Sequence, residues 1–329
     1  MAHRGLGRSG IAVSRLGLGL AAIGRPGYIT LGRARDLGAA RTGDALYARS
    51  AEVLDAARAA GVRYVDVARS YGRAEEFLAR WLTERGVPDD AMSVGSKWGY
   101  RYTAGWTVDA AVHEQKELSA ARFHTQLAET RALLGNRLAL YQMHSATAES
   151  GALEDRALLV ALVEARRAGT FRAVGLTLSG AESARALALA LAARVDGEAV
   201  FDVVQATFNI LEPSLAAGLA GAHAAGLGVI VKEVHANGRL TDINDRPEDA
   251  ALLGGLRAAA NGLPLDRLAV AFVLSHPFVD VALSGAATAA QLTSHVVSAS
   301  APPLDVAPLA AFAEPPARYW GTRGSLPWT

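Results

Sequence analysis

The chain has 329 residues, 51% of them hydrophobic and 20% charged, with a net charge of +1 and no cysteine. That apolar content can bury a large core, and the lack of cysteine excludes disulfides, thiolate metal sites and a cysteine nucleophile. Neither sign of charge gathers into a run, so the expected ligand is a small molecule, with no nucleic-acid partner, no membrane partner and no metal. The start, Met1-Ala2-His3-Arg4-Gly5-Leu6-Gly7, is rich in glycine where a signal peptide carries an apolar core, and the run 184–193 contains Arg185 and is too short to span a bilayer. The expected location is the cytoplasm. Oligomeric state is not legible.

Along the chain, short β-type runs alternate with alanine-rich helical stretches, the pattern of βα units on a parallel sheet. Strands are expected over 15–20, 62–67, 92–97, 138–144, 171–177, 202–207, 228–232 and 279–284. Helices are expected over 48–60, 74–85, 120–134, 153–168, 181–194, 213–225, 265–275 and 289–298. Eight units with no linker between them predict one α/β domain over 1–329, a single (β/α)8 TIM barrel in place of a doubly wound sheet. The long stretches 25–47, 99–118 and 236–261 follow the first, third and seventh strands, on the rim where barrel enzymes place their binding loops. The last stretch, 304–329, with Tyr319, Trp320 and Trp328, either folds over the same mouth or forms a loose tail; the sequence leaves both open.

Several motifs carry less than they promise. Gly5-Leu6-Gly7-Arg8-Ser9-Gly10 matches G-x-G-x-x-G, but no strand precedes it and it reads as a turn. Gly17-Leu18-Gly19 follows a strand, yet Gly24, Pro26 and Gly27 prevent the helix that would hold a pyrophosphate. His113-Glu114 lacks the second histidine of a zinc motif and reads as a solvated loop.

Four reactive side chains stand out. Asp66 and Tyr71 lie in Val65-Asp66-Val67-Ala68-Arg69-Ser70-Tyr71-Gly72, Lys97 in Ser96-Lys97-Trp98-Gly99, and His144 in Tyr141-Gln142-Met143-His144-Ser145. Each alone has an ordinary structural explanation. Together they place a proton-transfer set on three consecutive strand ends. A tyrosine titrates near pH 10 and is a weak donor at neutrality unless a cation stabilises its phenolate. Lys97 is the available cation, and a shift of about two to three units corresponds to roughly 3 to 4 kcal/mol. Asp66 would keep Lys97 charged, and His144 would orient a reacting carbonyl oxygen. Arg69 meets either an anionic substrate group or a surface carboxylate.

The spacing Asp-x-x-x-x-Tyr-Gly at Asp66–Gly72, the Ser-Lys-Trp-Gly strand end and the Tyr-x-x-His-Ser strand end resemble the aldo-keto reductases. That family has a (β/α)8 barrel plugged at its floor by an N-terminal β-hairpin, and it uses a nicotinamide cofactor without a Rossmann domain. The resemblance implies an NAD(P)H-dependent enzyme interconverting an aldehyde, ketone or sugar and its alcohol, with Asp66, Tyr71, Lys97 and His144 as catalytic tetrad. It also implies cofactor contacts at Thr177, Gln205, Lys232, Gly238, Leu240, Gly285, Ala287, Thr288, Gln291 and His295, and substrate contacts at Leu20, Trp98 and Tyr100, with Tyr102 and Trp106 extending the aromatic lining.

The chain departs from the family's pattern where Thr177-Leu178 replaces Ser-Asn, where Lys232 replaces a stacking aromatic residue, and where Gly285, Gln291 and His295 replace residues around the adenosine phosphate. NADP(H) is favoured modestly over NAD(H), with Arg239 as a cation able to restore a phosphate contact. Two other functions stay open: a cofactor-binding sensor or regulatory subunit with little turnover, and an aldolase-like barrel with a Schiff-base lysine at Lys97 or Lys232.

Overall fold

The computed structural model describes residues 3–38 and 41–329; Met1 and Ala2 of the glycine-rich start, and Ala39 and Ala40 of the first long loop, lie outside the described residues. Among the described residues, eight parallel strands close into a barrel. They are β1 (Leu16–Gly19), β2 (Tyr64–Asp66), β3 (Ser93–Trp98), β4 (Leu138–Ala146), β5 (Ala173–Leu178), β6 (Val203–Thr207), β7 (Gly228–Lys232) and β8 (Val281–Ser284). Each pairs with the next, and β8 closes on β1 with Ala282 opposite Leu16 and Ser284 opposite Leu18. The helices that follow them are α1 (Gly43–Ala59), α2 (Ala74–Glu84), α3 (Ala120–Leu134), α4 (Arg156–Arg167), α5 (Ser183–Ala192), α6 (Ala216–Ala224), α7 (Leu265–Leu274) and α8 (Ala289–Ala299). Local chemistry sets several of these ends. Ser119 accepts the Arg122 N–H at 3.1 Å to start α3, and the Asp155 carboxylate accepts the Ala157 and Leu158 N–H groups to start α4.

Side chains alternate across a strand, so each barrel strand sends one parity inward and the other to the helices. Leu16, Leu18, Val65, Val94, Leu176, Val204 and Val231 face the helices and join the main core. Tyr64, Leu140, Ala173, Val203, Ile230, Val281 and Leu283 fill the barrel, where Leu6, Ile11 and Val13 meet them from below. Those three come from the N-terminal hairpin, His3–Gly5 paired with Ala12–Ser14, whose turn is the G-x-G-x-x-G segment. One layer up, the same inward parity carries Asp66, Lys97, Gln142, Gln205, Thr207 and Lys232. The barrel interior is therefore apolar at its floor and polar at the strand C-termini.

The long loops are more ordered than their composition implies. The third holds a hairpin, Tyr100–Tyr102 with Glu114–Lys116, and the seventh contains a helix, Ala250–Ala259. The last stretch starts beside Ser275, at the floor end of α7, where Leu304 N–H donates to Ser275 Oγ at 2.7 Å, and its end folds over the mouth. A helix, Pro316–Ser325, is followed by an antiparallel bridge between Trp328 and Ile29, with Thr329 N–H donating to Tyr28 O at 3.0 Å. Among the described residues no helix is long and apolar enough to cross a membrane.

Candidate active site

At the C-terminal rim a cavity of about 300 Å³ opens, bordered by residues from all three long loops and from 323–328. At its base Lys97 Nζ donates to Asp66 Oδ1 and, at 3.0 Å, to Val67 O. The other oxygen, Asp66 Oδ2, accepts from Gln205 Nε2 at 3.0 Å, Tyr64 OH at 3.1 Å and Gln142 Nε2 at 3.3 Å. A buried carboxylate thus has both oxygens satisfied, as a buried charge requires. The ammonium lies 4.7 Å from the centroid of the Tyr71 ring, and Tyr71 meets His144 edge-on with ring centroids 5.7 Å apart. A β-bulge between Met143 and Ala146 places Ser145 at φ 53° and turns His144 out of the ladder toward the cavity. Thr177 Oγ1 secures that bulge by accepting the Ser145 N–H at 2.7 Å. The four residues expected to act together are brought together.

Their electrostatics differ in one respect from the sequence expectation. Burial, and then the Asp66 carboxylate, push the Tyr71 phenol well above its usual range, with Arg25 opposing them. Lys97 is already committed to Asp66, and its ammonium does not offset that rise. Tyr71 is therefore a neutral O–H at physiological pH. Burial, followed by the charges of Lys97, Lys232, Arg25 and Lys116, drives His144 well below the usual imidazole value, so it too is neutral. Both can donate one hydrogen bond to an oxygen between them.

Of the expected cofactor residues, Gln205, Lys232, Gly238 and Gly285 line the cavity. Thr177 supports the bulge, and Leu240 is buried in its own loop. Thr288 caps α8, accepting the Gln291 N–H at 3.2 Å, while Gln291 takes the Ala287 N–H at 2.8 Å and donates to Asp36 at 2.8 Å. His295 is buried, bonded to Ser284 Oγ at 2.8 Å and stacked on His235 with centroids 4.4 Å apart. Arg239 is locked by Asp249 and Glu314, each at 2.8 Å, and is not free to bind a phosphate.

Strand parity corrects two of the substrate residues. Lys97 faces inward, so its neighbour Trp98 faces the helices, packed on Phe123 at 5.3 Å and fully buried. Leu20 continues the outward parity of Leu16 and Leu18 and is likewise buried in the main core. Tyr100 does line the cavity, 4.9 Å from His144, whereas Trp106 packs on Phe77 and bonds Arg41 O at 3.1 Å. Arg69 is held by Glu75 and Glu129, away from the cavity.

Sequence reasoning missed a second layer of lining residues. Arg25 is buried, bonds Glu114 at 2.5 Å, and lies 5.1 to 5.5 Å from the rings of Trp328, Tyr28 and Tyr71. His113, expected in a solvated loop, stacks on Trp328 at 3.7 Å, and Glu114 lines the cavity. A two-residue window gave no hint of this, because both partners come from distant loops. Glu233 accepts from Arg323 at 2.8 Å and from Thr207 at 3.0 Å. Thr207 was legible, being two residues beyond Gln205 on the same strand face.

A flat, amide-bearing ring fits this cavity. Gly19, Ala21, Ala22, Gly238 and Gly285 leave its wall without long side chains, and a Cβ on Gly285 would meet nothing within 4 Å. Ser145, Ser179 and Gln205 offer hydroxyl and amide partners beside it. Gly238 has φ 91°, and any side chain there would strike Leu31 at 2.9 Å, so glycine lets the seventh loop cross the first above the cavity. Among the described residues no group of three or more His, Asp or Glu side chains is placed to hold a metal ion.

Barrel and rim together define a (β/α)8 barrel with a polar cavity at the C-terminal ends of its strands. The chain belongs to the aldo/keto reductase family, whose sequence profile matches residues 36–314; its members interconvert carbonyls and alcohols and generally use nicotinamide cofactors. The fold is similar to that of an aldo-keto reductase from Bacillus halodurans solved in its holo form, at 21% identity and TM-score 0.73, over 96% of this chain and 97% of that one. It is also similar to a candidate aldo-keto reductase from Pseudomonas aeruginosa, at 24% identity and TM-score 0.64, over 90% and 94% of the two chains. No curated protein matches the chain.

Proposed function

We propose that the protein is a nicotinamide-dependent oxidoreductase in which Tyr71 is the general acid for carbonyl reduction and the general base for the reverse reaction. The observation that carries this reading is the grouping of a neutral phenol, a neutral imidazole and the Lys97–Asp66 ion pair in one cavity wall, with Lys97 Nζ 4.7 Å from the Tyr71 ring. When bound, the cofactor supplies or accepts the hydride. Everything else falls to side chains of this chain. Tyr71 OH and a ring N–H of His144 hold the substrate oxygen, and Tyr71 passes it the proton as negative charge develops. Lys97, fixed by Asp66, lies close enough to stabilise the phenolate so formed. Tyr100 and Trp328 cover the mouth and limit water entry.

Ser145, Ser179 and Gln205 would hold the nicotinamide end. At the adenosine end, Gly285 has no side chain, Gln291 is engaged by Asp36, and His295 is buried and neutral. A carboxylate there accepts from a ribose hydroxyl and repels a 2'-phosphate, which supports NAD(H) over the NADP(H) anticipated from sequence. A Schiff-base role for Lys97 has little support, since its nitrogen is committed to Asp66 and Val67.

Tyr71→Phe is expected to lower turnover of a carbonyl panel by about a hundredfold or more while leaving NADH affinity within about twofold. Undiminished turnover would overturn the assignment of the acid.

A further inference from the structure

Three of the cations in or beneath the cavity wall have a carboxylate partner in direct contact. Lys97 pairs with Asp66, Arg25 with Glu114, and Arg323 with Glu233. Lys232 is different. Its Nζ is fixed by two neutral hydroxyls, Thr207 Oγ1 at 2.9 Å and Ser179 Oγ at 3.2 Å, and among the described residues no carboxylate lies within salt-bridge distance of it. It sits at the last position of β7 on the inward parity, one strand from Thr207 in the ladder, and it lines the same cavity as Tyr71 and His144.

Its charge reaches the reacting centre, where it is one of the cations that depress His144. Burial lowers Lys232 itself to about 8, with Glu233 and Asp66 opposing the fall and Arg323 and Lys97 adding to it. The groups facing it are Lys97 and Asp66 from β3 and β2, His144 from β4, its neighbour Glu233, and Arg323 beside Trp320 from the helix Pro316–Ser325.

A nicotinamide ring is neutral when reduced and carries a positive charge when oxidised, and the rest of the dinucleotide is the same in both forms. Resting on the function proposed above, we propose that Lys232 sets the redox preference of the bound cofactor: its ammonium in the cavity wall, with no carboxylate in direct contact, favours the reduced ring over the cationic oxidised ring. The energetic reason is Coulomb repulsion in a poorly solvated cavity, where two like charges a few ångströms apart are not screened as in water. The site is thereby biased toward holding NADH and releasing NAD+, the order required for net carbonyl reduction. The bias weakens in alkaline solution as Lys232 loses its proton. His144 lies well below this range, Tyr71 well above it, and Glu233 is held at about 2.

The test is equilibrium binding of NADH and of NAD+, each followed by quenching of tryptophan fluorescence, with NADPH and NADP+ run in parallel. The quantity read is the ratio of the oxidised to the reduced Kd, so contacts to the adenosine and pyrophosphate cancel. At pH 6.5 the full chain should show a ratio about tenfold higher than Lys232→Met does. The ratio should fall toward the Lys232→Met value by pH 9.5. Lys232→Arg, which keeps the charge, should retain the high ratio at both pH values. Equal ratios for the full chain and Lys232→Met at pH 6.5, with both cofactor forms still bound, overturn the role of Lys232 while leaving the oxidoreductase reading intact. If neither form binds the full chain at millimolar concentration, both readings fail together. Should Lys232→Met not fold, the pH dependence of the ratio in the unaltered protein and its absence in Lys232→Arg decide the matter.

Discussion

Asp36 and Gln291 show how a residue's partner decides its use. Gln291 occupies a position expected to touch the adenosine phosphate, but its amide nitrogen donates to Asp36 and its oxygen closes the turn before α8. What it presents to a ligand is therefore its acidic neighbour. NADH is expected to bind at least about tenfold more tightly than NADPH, and Asp36→Ser should narrow that difference, as measured by fluorescence titration of both cofactors. Tighter binding of NADPH by the unaltered protein would reverse the assignment. The same dependence on partners governs the phenol. Tyr71 is raised by burial and then by the Asp66 carboxylate, and Lys97, held by that same carboxylate, contributes by stabilising the phenolate once formed.

At the scale of elements, the N-terminal hairpin does for the barrel floor what side chains of a longer strand would otherwise have to do. Leu6, Ile11 and Val13 are fully buried, and they meet Ile230, Val203 and Val281 from below. Leu6→Ala should cost about 2 to 5 kcal/mol through lost burial and an unfilled cavity, measured by urea denaturation. NADH affinity should be unchanged, because the floor is separated from the site by the polar layer of Asp66, Gln142 and Gln205. The helix Pro316–Ser325 plays the corresponding part at the rim, delivering Arg323 to Glu233, and the Trp328 segment pins the first loop through Tyr28 and Ile29.

For the whole molecule, buried histidines bring a shared pH dependence. His144, His235 and His295 are each depressed below 6.5, chiefly by burial, with His235 adding to the effect on His295. In the unfolded chain they take up protons near pH 6.5, and in the folded chain they resist. The unfolded state then binds more protons, so stability rises with pH below 6.5 and falls as the solution is acidified through that value. The thermal midpoint should drop between pH 7 and pH 5 beyond what surface carboxylates produce, and His295→Asn should lessen the drop. A midpoint flat over that interval would contradict the burial of these rings as neutral bases.

Much of this was open to reading in the sequence because it depends on local periodicity. The alternation of apolar runs with alanine-rich helices defined eight βα units, and the strand ends carrying Asp66, Lys97 and His144 had to converge once those strands were adjacent. Strand parity was legible as well: adjacent residues face opposite ways, which separates Lys97 from Trp98 and Gly19 from Leu20. Only tertiary structure decided the pairings between distant segments. Arg25 meets Glu114 and Trp328, Gln291 meets Asp36, and Glu233 meets Arg323, contacts that a linear chain does not encode by spacing. Because a charge's effect on its surroundings depends on what neutralises it, the sequence by itself determined the fold and the reactive set, whereas the closed barrel decided which cations are spent on carboxylates and which one, Lys232, is left facing the cavity.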